Sequence, residues 1–137
     1  MSKKLFHGNC SCRKVTFEVN IDLASATSGK CNCTFCVKRR LFTTRVSPAD
    51  FTLLTGKNDL TNYEANGSHR MFCKTCGVVT HANLDPSEWT PESVVAVNLG
   101  CLEDITVAEL KSIPIEYRDG KANTWAPLTD QDEISIL

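Results

Sequence analysis

Seven of the eight cysteines in this 137-residue chain fall into three tight groups, and no other feature limits its fold so narrowly. The groups are Cys10 and Cys12 in "CSC", Cys31, Cys33 and Cys36 in "CNCTFC", and Cys73 and Cys76 in "CKTC". Disulfide frameworks usually join distant segments, because closing a longer loop removes more entropy from the unfolded chain. Cysteines spaced as C-x-C and C-x-x-C instead supply two metal ligands from one turn. The opening "MSKKLFHGNC" has no apolar h-region and no small-residue cleavage site, which argues against a secretory signal. The expected setting is the reducing cytoplasm, with the nucleus also open, and metal is favoured over disulfides.

Cys73 and Cys76 read as a zinc knuckle, with Gly77 allowing the turn that aims backbone amides at sulfur. A knuckle needs a second pair, and Cys10 with Cys12 offers one. Together they make a closed four-thiolate site, which is structural in kind. That leaves Cys31, Cys33 and Cys36, a loop able to wrap three sulfurs around one ion at about 2.3 Å each. Its fourth position stays open to water or substrate, the mark of a catalytic zinc. Two zinc ions per chain are expected, one tightly held and one labile. A partition that mixes Cys10 or Cys12 with the middle group is also open, since spacing alone does not decide it.

Lys38, Arg39 and Arg40 follow the middle group directly. Three thiolates on one dication leave a negative charge, which these cations can offset while attracting an anionic ligand. The same run also reads as the solvated face of a short helix. His7, His69 and His81 have no metal-type spacing to a cysteine group and read as surface or core residues. Cys101 lies outside all groups and reads as a small buried hydrophobe. The formal net charge of -1 gives no global basic field for nucleic acid. No apolar run approaches the roughly 20 residues that a membrane-spanning helix needs.

Short apolar-alternating runs dominate the rest. "KVTFEV" puts Val15, Phe17 and Val19 on one face of a half-buried strand. Further strands are expected at Leu41–Val46, Phe51–Gly56, Leu60–Ala65 and Glu92–Gly100, with a hairpin of "HRMFC" and "VVTHANL" around the knuckle. Leu23–Lys30 reads as a loop, "TFCVKRR" as a helical turn, "DITVAELK" as either loop or helix, and "RDGKAN" as a turn. The pattern predicts an all-β fold with little helix, a zinc-stapled sandwich or barrel forming a single domain over residues 1–137.

At these residues the chain resembles a known family. "HGNCSCRKVTFEV", "CNCTFCVKR" and "FCKTCG" are similar to the glutathione-dependent formaldehyde-activating enzymes, a family that includes centromere protein V. The tail "IEYRDGKANTW" resembles the Y-x-D-G…W ending of fungal-type members. The resemblance implies twisted β-sheets like those of the Rab chaperone called mammalian suppressor of Sec four. It implies a structural zinc on Cys10, Cys12, Cys73 and Cys76 and a catalytic-type zinc on Cys31, Cys33 and Cys36. The implied activity is a carbon–sulfur lyase reaction, the reversible condensation of glutathione with formaldehyde to S-hydroxymethylglutathione. Lys38, Arg39 and Arg40 would then hold glutathione's carboxylates. One departure is Arg13, which stands where the family opening has a glycine, and it implies a changed loop beside the first cysteine pair. The competing readings are a non-catalytic zinc module for a macromolecular partner, and a thiol or metal buffer.

Overall fold

The computed structural model describes residues 2–88 and 90–137. Two twisted sheets share one apolar core. The smaller has three antiparallel strands, with β2 (Thr16–Ile21) between β1 (Lys4–Asn9) and β5 (Phe51–Thr55). Val15, Phe17, Val19 and Ile21 are all buried, so the alternation in the sequence marks the inward face. Gly8 pairs with Phe17 across the two strands. A Cβ on Gly8 would sit 2.4 Å from that ring, so the aromatic side chain fills the space a residue there would need.

The larger sheet runs β10 (Ile115–Arg118), β3 (Ser28–Cys31), β4 (Thr43–Val46), β9 (Val94–Asn98), β8 (Val79–Leu84), β7 (Ser68–Cys73) and β6 (Leu60–Ala65). Only β10 and β3 pair in parallel. Phe6, Phe17, Val19 and Ile21 of the small sheet pack with Val95 and Val97 of the large one, and with Leu99, Leu102 and Ile113 from the connections. Each large apolar side chain fully buried in this way contributes roughly 1.5–3 kcal/mol. A second, smaller cluster holds Cys10, Val15 and Cys73, with Leu53, Leu60, Cys76 and Val78 around them.

The helices are short: α1 (Thr34–Arg39), α2 (Val107–Ser112) and α3 (Gln131–Ser135). The ambiguous "DITVAELK" stretch is helical because Thr106 and Glu109 form a capping box at its start. The expected loop at Leu23–Lys30 ends instead in a strand, β3. Long-range pairing with β10 imposes that strand on a segment of weak β propensity, and both the N–H and the hydroxyl of Ser28 donate to the Pro114 carbonyl. The strand expected from Leu41 starts at Thr43, because Arg40 closes α1 in the left-handed region and Leu41 N–H still donates to Cys36. Among the described residues no helix is long and apolar enough to cross a membrane.

His81, on β8, faces the core beneath the Phe51 ring, 4.5 Å between centroids, with Thr80 Oγ1 2.9 Å from its Nδ1. Burial disfavours the charged form and lowers its pKa from 6.5 to about 4. Between these values the unfolded chain binds the proton and the folded one does not. Stability therefore falls as pH drops through this window, by about 3 kcal/mol in all. In denaturant melts at pH 7 and pH 4.5, His81→Gln should lose less stability on acidification than the parent. An equal loss in both proteins would show that His81 does not titrate this way.

Candidate metal and thiol centres

The turn from β1 to β2 carries Cys10 and Cys12, and the turn from β7 to β8 carries Cys76 just after Cys73. The fold brings these distant turns together. The four Sγ atoms all lie within 4.8 Å of one another. Cys12 Sγ is 3.6 Å from both Cys10 Sγ and Cys73 Sγ. Four sulfurs at about 2.3 Å from one tetrahedral zinc stand about 3.8 Å apart, so the donor set fits that ion. The mixed partition of the first two groups is not what forms: Cys31, Cys33 and Cys36 make a separate set of three, again within 4.8 Å, and that set could also hold a metal ion.

Backbone geometry explains why the first set assembles. Gly77 has φ +80, a left-handed value that most side chains resist, and its N–H donates to the Cys73 carbonyl at 2.7 Å. Nothing lies within 4 Å of a Cβ there, so conformation and not space demands the glycine. Arg13 has φ 66 and its N–H bonds to the Cys10 carbonyl. It adopts the left-handed backbone conformation that a glycine takes readily, at a cost of about 1–2 kcal/mol. Burial works against ionisation at Cys76, but the N–H groups of Val78 and Cys12 with the thiols of Cys73 and Cys10 outweigh it and bring its pKa to about 6.

The second set sits on the β3–α1 junction. Cys33 is the N-cap of α1, its sulfur accepting the Cys36 N–H at 3.3 Å, and Cys33 N–H donates to Cys31 Sγ at 3.3 Å. All three residues are half-buried. Hydrogen bonding from the Cys36 thiol lowers the Cys31 pKa to about 6 against the effect of burial, with the N–H groups of Cys33 and Gly120 adding to the fall. Cys36 is pushed far up by the same hydrogen bond, in which it holds the proton, and by burial and neighbouring sulfur charge. This hydrogen bond favours negative charge on Cys31 and the proton on Cys36.

Two flanking contacts fix this loop. Phe35 of α1 lies against the Tyr63 ring, 5.7 Å between centroids, with the Arg39 and Arg70 guanidiniums 3.8 and 4.1 Å from its own centroid. Tyr63 and Arg70 are cross-strand partners on β6 and β7. The large sheet therefore curls until a helix leaving β3 reaches its far edge. On the other side Asn32, only 6 % exposed, joins the loop to the C-terminal tail. Its amide donates to Asp119 Oδ1 at 3.1 Å and Glu133 Oε2 at 3.0 Å, its side-chain oxygen accepts the Lys121 N–H at 2.9 Å, and its own N–H donates to the Arg118 carbonyl.

The basic run divides by role. Arg39 stacks on Phe35 and donates to its carbonyl. Arg40 donates to the Ile136 carbonyl, so it serves the tail. Lys38 is exposed in the last turn of α1. The histidines stay apart from both cysteine sets: His7 pairs with Asp104 and His69 with Asp85, each at 2.9 Å. Cys101 lies in the main core, where burial pushes its thiol up to about 12. Asn32, Tyr63 and Arg70 are the contacts the sequence did not disclose. Tyr117, Asp119, Gly120 and Trp125 did carry a signal, the Y-x-D-G…W pattern.

Asn32→Ala should free the tail without disturbing the sheets. It removes three buried side-chain hydrogen bonds and leaves two carboxylates without that partner, at about 2–3 kcal/mol. Hydrogen exchange should show faster amides over residues 119–137 and unchanged ones in β1, β2 and β9. Unchanged exchange in the tail would mean that Asn32 does not hold it.

The family model for glutathione-dependent formaldehyde-activating enzymes matches residues 5–116. A solved structure, that of a Rhodobacter sphaeroides protein from a structural genomics programme, is similar at 29% identity and a TM-score of 0.62. The match covers 80% of this chain and 98% of that one. The matched residues include both cysteine sets and every strand of the two sheets, apart from Lys4 of β1 and the second half of β10. With a match over most of its length, the chain belongs to the glutathione-dependent formaldehyde-activating enzyme family.

Proposed function

We propose that this chain is a zinc-dependent enzyme of the carbon–sulfur lyase type that interconverts glutathione and formaldehyde with S-hydroxymethylglutathione. The observation that carries the reading is the inequality of the two cysteine sets. One is complete with four sulfurs, and the other gathers three half-buried sulfurs with no fourth His, Cys, Asp or Glu ligand among the described residues. A site short of one ligand is the kind that admits a substrate. The family's description supports glutathione and formaldehyde as the pair.

In the forward direction the glutathione sulfur bonds to the carbonyl carbon. The C=O π pair moves to oxygen, and the proton lost from the thiol ends there, giving a hydroxymethyl thioether with no oxidant or reductant. A zinc ion held by Cys31, Cys33 and Cys36 would supply positive charge that lowers a thiol's pKa or polarises the aldehyde oxygen. The chain itself supplies position. The N–H groups of Cys33 and Gly120 stabilise charge on the Cys31 sulfur. Asn32 and Phe35 pin the loop from two sides. Lys38 and Arg39 offer positive charge for glutathione's carboxylates, while Arg40 is already engaged by Ile136.

Purified protein supplied with excess zinc should carry about two ions per chain by elemental analysis, one of them released by a mild chelator. Cys76→Ser should lose the tight ion and unfold, since binding energy at a four-thiolate site is folding energy. A native circular dichroism spectrum with unchanged melting in that variant would remove the structural role.

Cys36→Ser should keep the fold and the tight ion, lose the labile ion, and cost about 1 kcal/mol in stability. Magnetisation-transfer NMR can follow glutathione–formaldehyde exchange directly. The parent should exceed the spontaneous rate and Cys36→Ser should not. A parent no faster than buffer would retire the formaldehyde reading and favour a non-catalytic zinc module. A fast parent matched by an equally fast variant would move the reaction away from the middle cysteines.

A further inference from the structure

The tail beyond the family match is built against the three-thiol set. Arg118 pairs with Cys31 across the β10–β3 ladder. Next comes Gly120, whose position leaves no room for a side chain: a Cβ there would stand 2.5 Å from Cys31 Sγ and 2.8 Å from Cζ3 and Cη2 of Trp125. The sulfur and the outer edge of the indole therefore crowd the same point. The loop that carries the indole is tied at several levels. Asp119 N–H donates to Ala126 and Trp125 N–H to Asp119, Asn123 N–H returns to Gly120, and Leu128 N–H reaches Tyr117. Arg118 and Pro127 form a further bridge.

Trp125 is not where fastening of the tail requires it. The indole-bearing residue is 52% exposed, so much of its apolar surface faces water. Its φ is 59, a left-handed value that is an outlier for a bulky residue, and Asn123 two positions earlier has the same value. Attachment is already supplied by Asn32, by Lys30 Nζ to the Leu137 carbonyl and by Arg40 to the Ile136 carbonyl. A strained, half-exposed aromatic residue held beside the Cys31 sulfur has a steric task there.

We propose that residues 117–137 are a fixed wall of the three-thiol site, and that Trp125 is its specificity-determining residue, setting an upper width on the compound that reaches Cys31. The class admitted is the small, unbranched carbonyl compound; aromatic and branched ones are turned away. This rests on the reading of the three cysteines as the place of reaction, which it deepens by naming what limits the substrate. The loop is closed by its own backbone bonds, so the selection is by shape and needs no lid.

The wall can be tested on the zinc-supplied full chain without measuring catalysis. Methylmercury and phenylmercury both attack free and metal-bound thiolates, and they differ in width. At less than one equivalent of reagent, peptide mapping gives the rate at each cysteine. The phenyl-to-methyl rate ratio at Cys31, referred to the same ratio at the exposed Cys12, should be low in the parent. Trp125→Ala should raise it about tenfold or more, the scale of steric discrimination in a fitted pocket, and Trp125→Phe should hold it near the parent value. A parent ratio equal at the two cysteines, or one that Trp125→Ala leaves alone, overturns the proposal. If Trp125→Ala loosens the fold, seen as new reactivity at the buried Cys101, Trp125→Leu carries the same comparison under the same criteria. A size step at Cys31 in a protein that fails to speed glutathione–formaldehyde exchange would keep the wall and retire only the reaction.

Discussion

The meeting of four sulfurs at the end of the two sheets is the constraint on which the rest of the molecule leans. Cys10 and Cys12 arrive on the β1–β2 turn of the small sheet, and Cys73 and Cys76 on the β7–β8 turn of the large one. Cys10 and Cys73 are almost wholly buried, and they sit with Val15 at the centre of a small apolar cluster of their own. Negative charge on two sulfurs buried there, with two more beside them, costs free energy unless something compensates it. Backbone N–H groups do part of this, with Val15 donating to Cys10 Sγ. A tetrahedral cation of the right size would do the rest, and would turn a mutual approach of two turns into a crosslink between two sheets.

With that end fixed, the three-thiol loop is free to be incomplete. It is not needed to close the core, whose main cluster is made by Phe6, Phe17, Val19, Ile21, Val95, Val97 and their neighbours. It is instead held from outside, by the Phe35 stack on one flank and Asn32 on the other. Rigid flanks around an open ligand position are what a reactive centre needs, because the cost of ordering the loop is met before a substrate arrives. The opposite shifts of Cys31 and Cys36 follow from the same packing: the Cys36 thiol donates to the Cys31 sulfur, and the N–H groups of Cys33 and Gly120 add to the stabilisation of charge there.

Much of this was readable from the chain. Spacing favoured a division into four and three ligands, since C-x-C and C-x-x-C each fit one turn, but left a mixed partition open until the fold separated the two sets. The β strands with clean alternation, such as that through Phe17 and Val19, were legible because one face of each meets the core. Two of the four edge strands were not. β1 passes through Gly8 and His7 and has little β propensity, and β10 exists by pairing with β3. Asn32 gave no sign of its importance, because an asparagine between two cysteines looks like any polar loop residue until its four partners arrive from the tail.

The sequence by itself determined which thiols are available, how they are grouped along the chain, and that their number, seven, falls one short of two sets of four. Those are matters of local spacing, and a turn of a few residues has little freedom to alter them. The tertiary structure decided what surrounds the short set. The Trp125 indole beside Cys31, the Tyr63–Arg70 pair under Phe35 and the diversion of Arg40 to the tail all join residues that are far apart along the chain. Their placement depends on the curl of the seven-stranded sheet and on the parallel β3–β10 ladder. No periodicity in a linear sequence encodes either, since both arise only when the strands are packed.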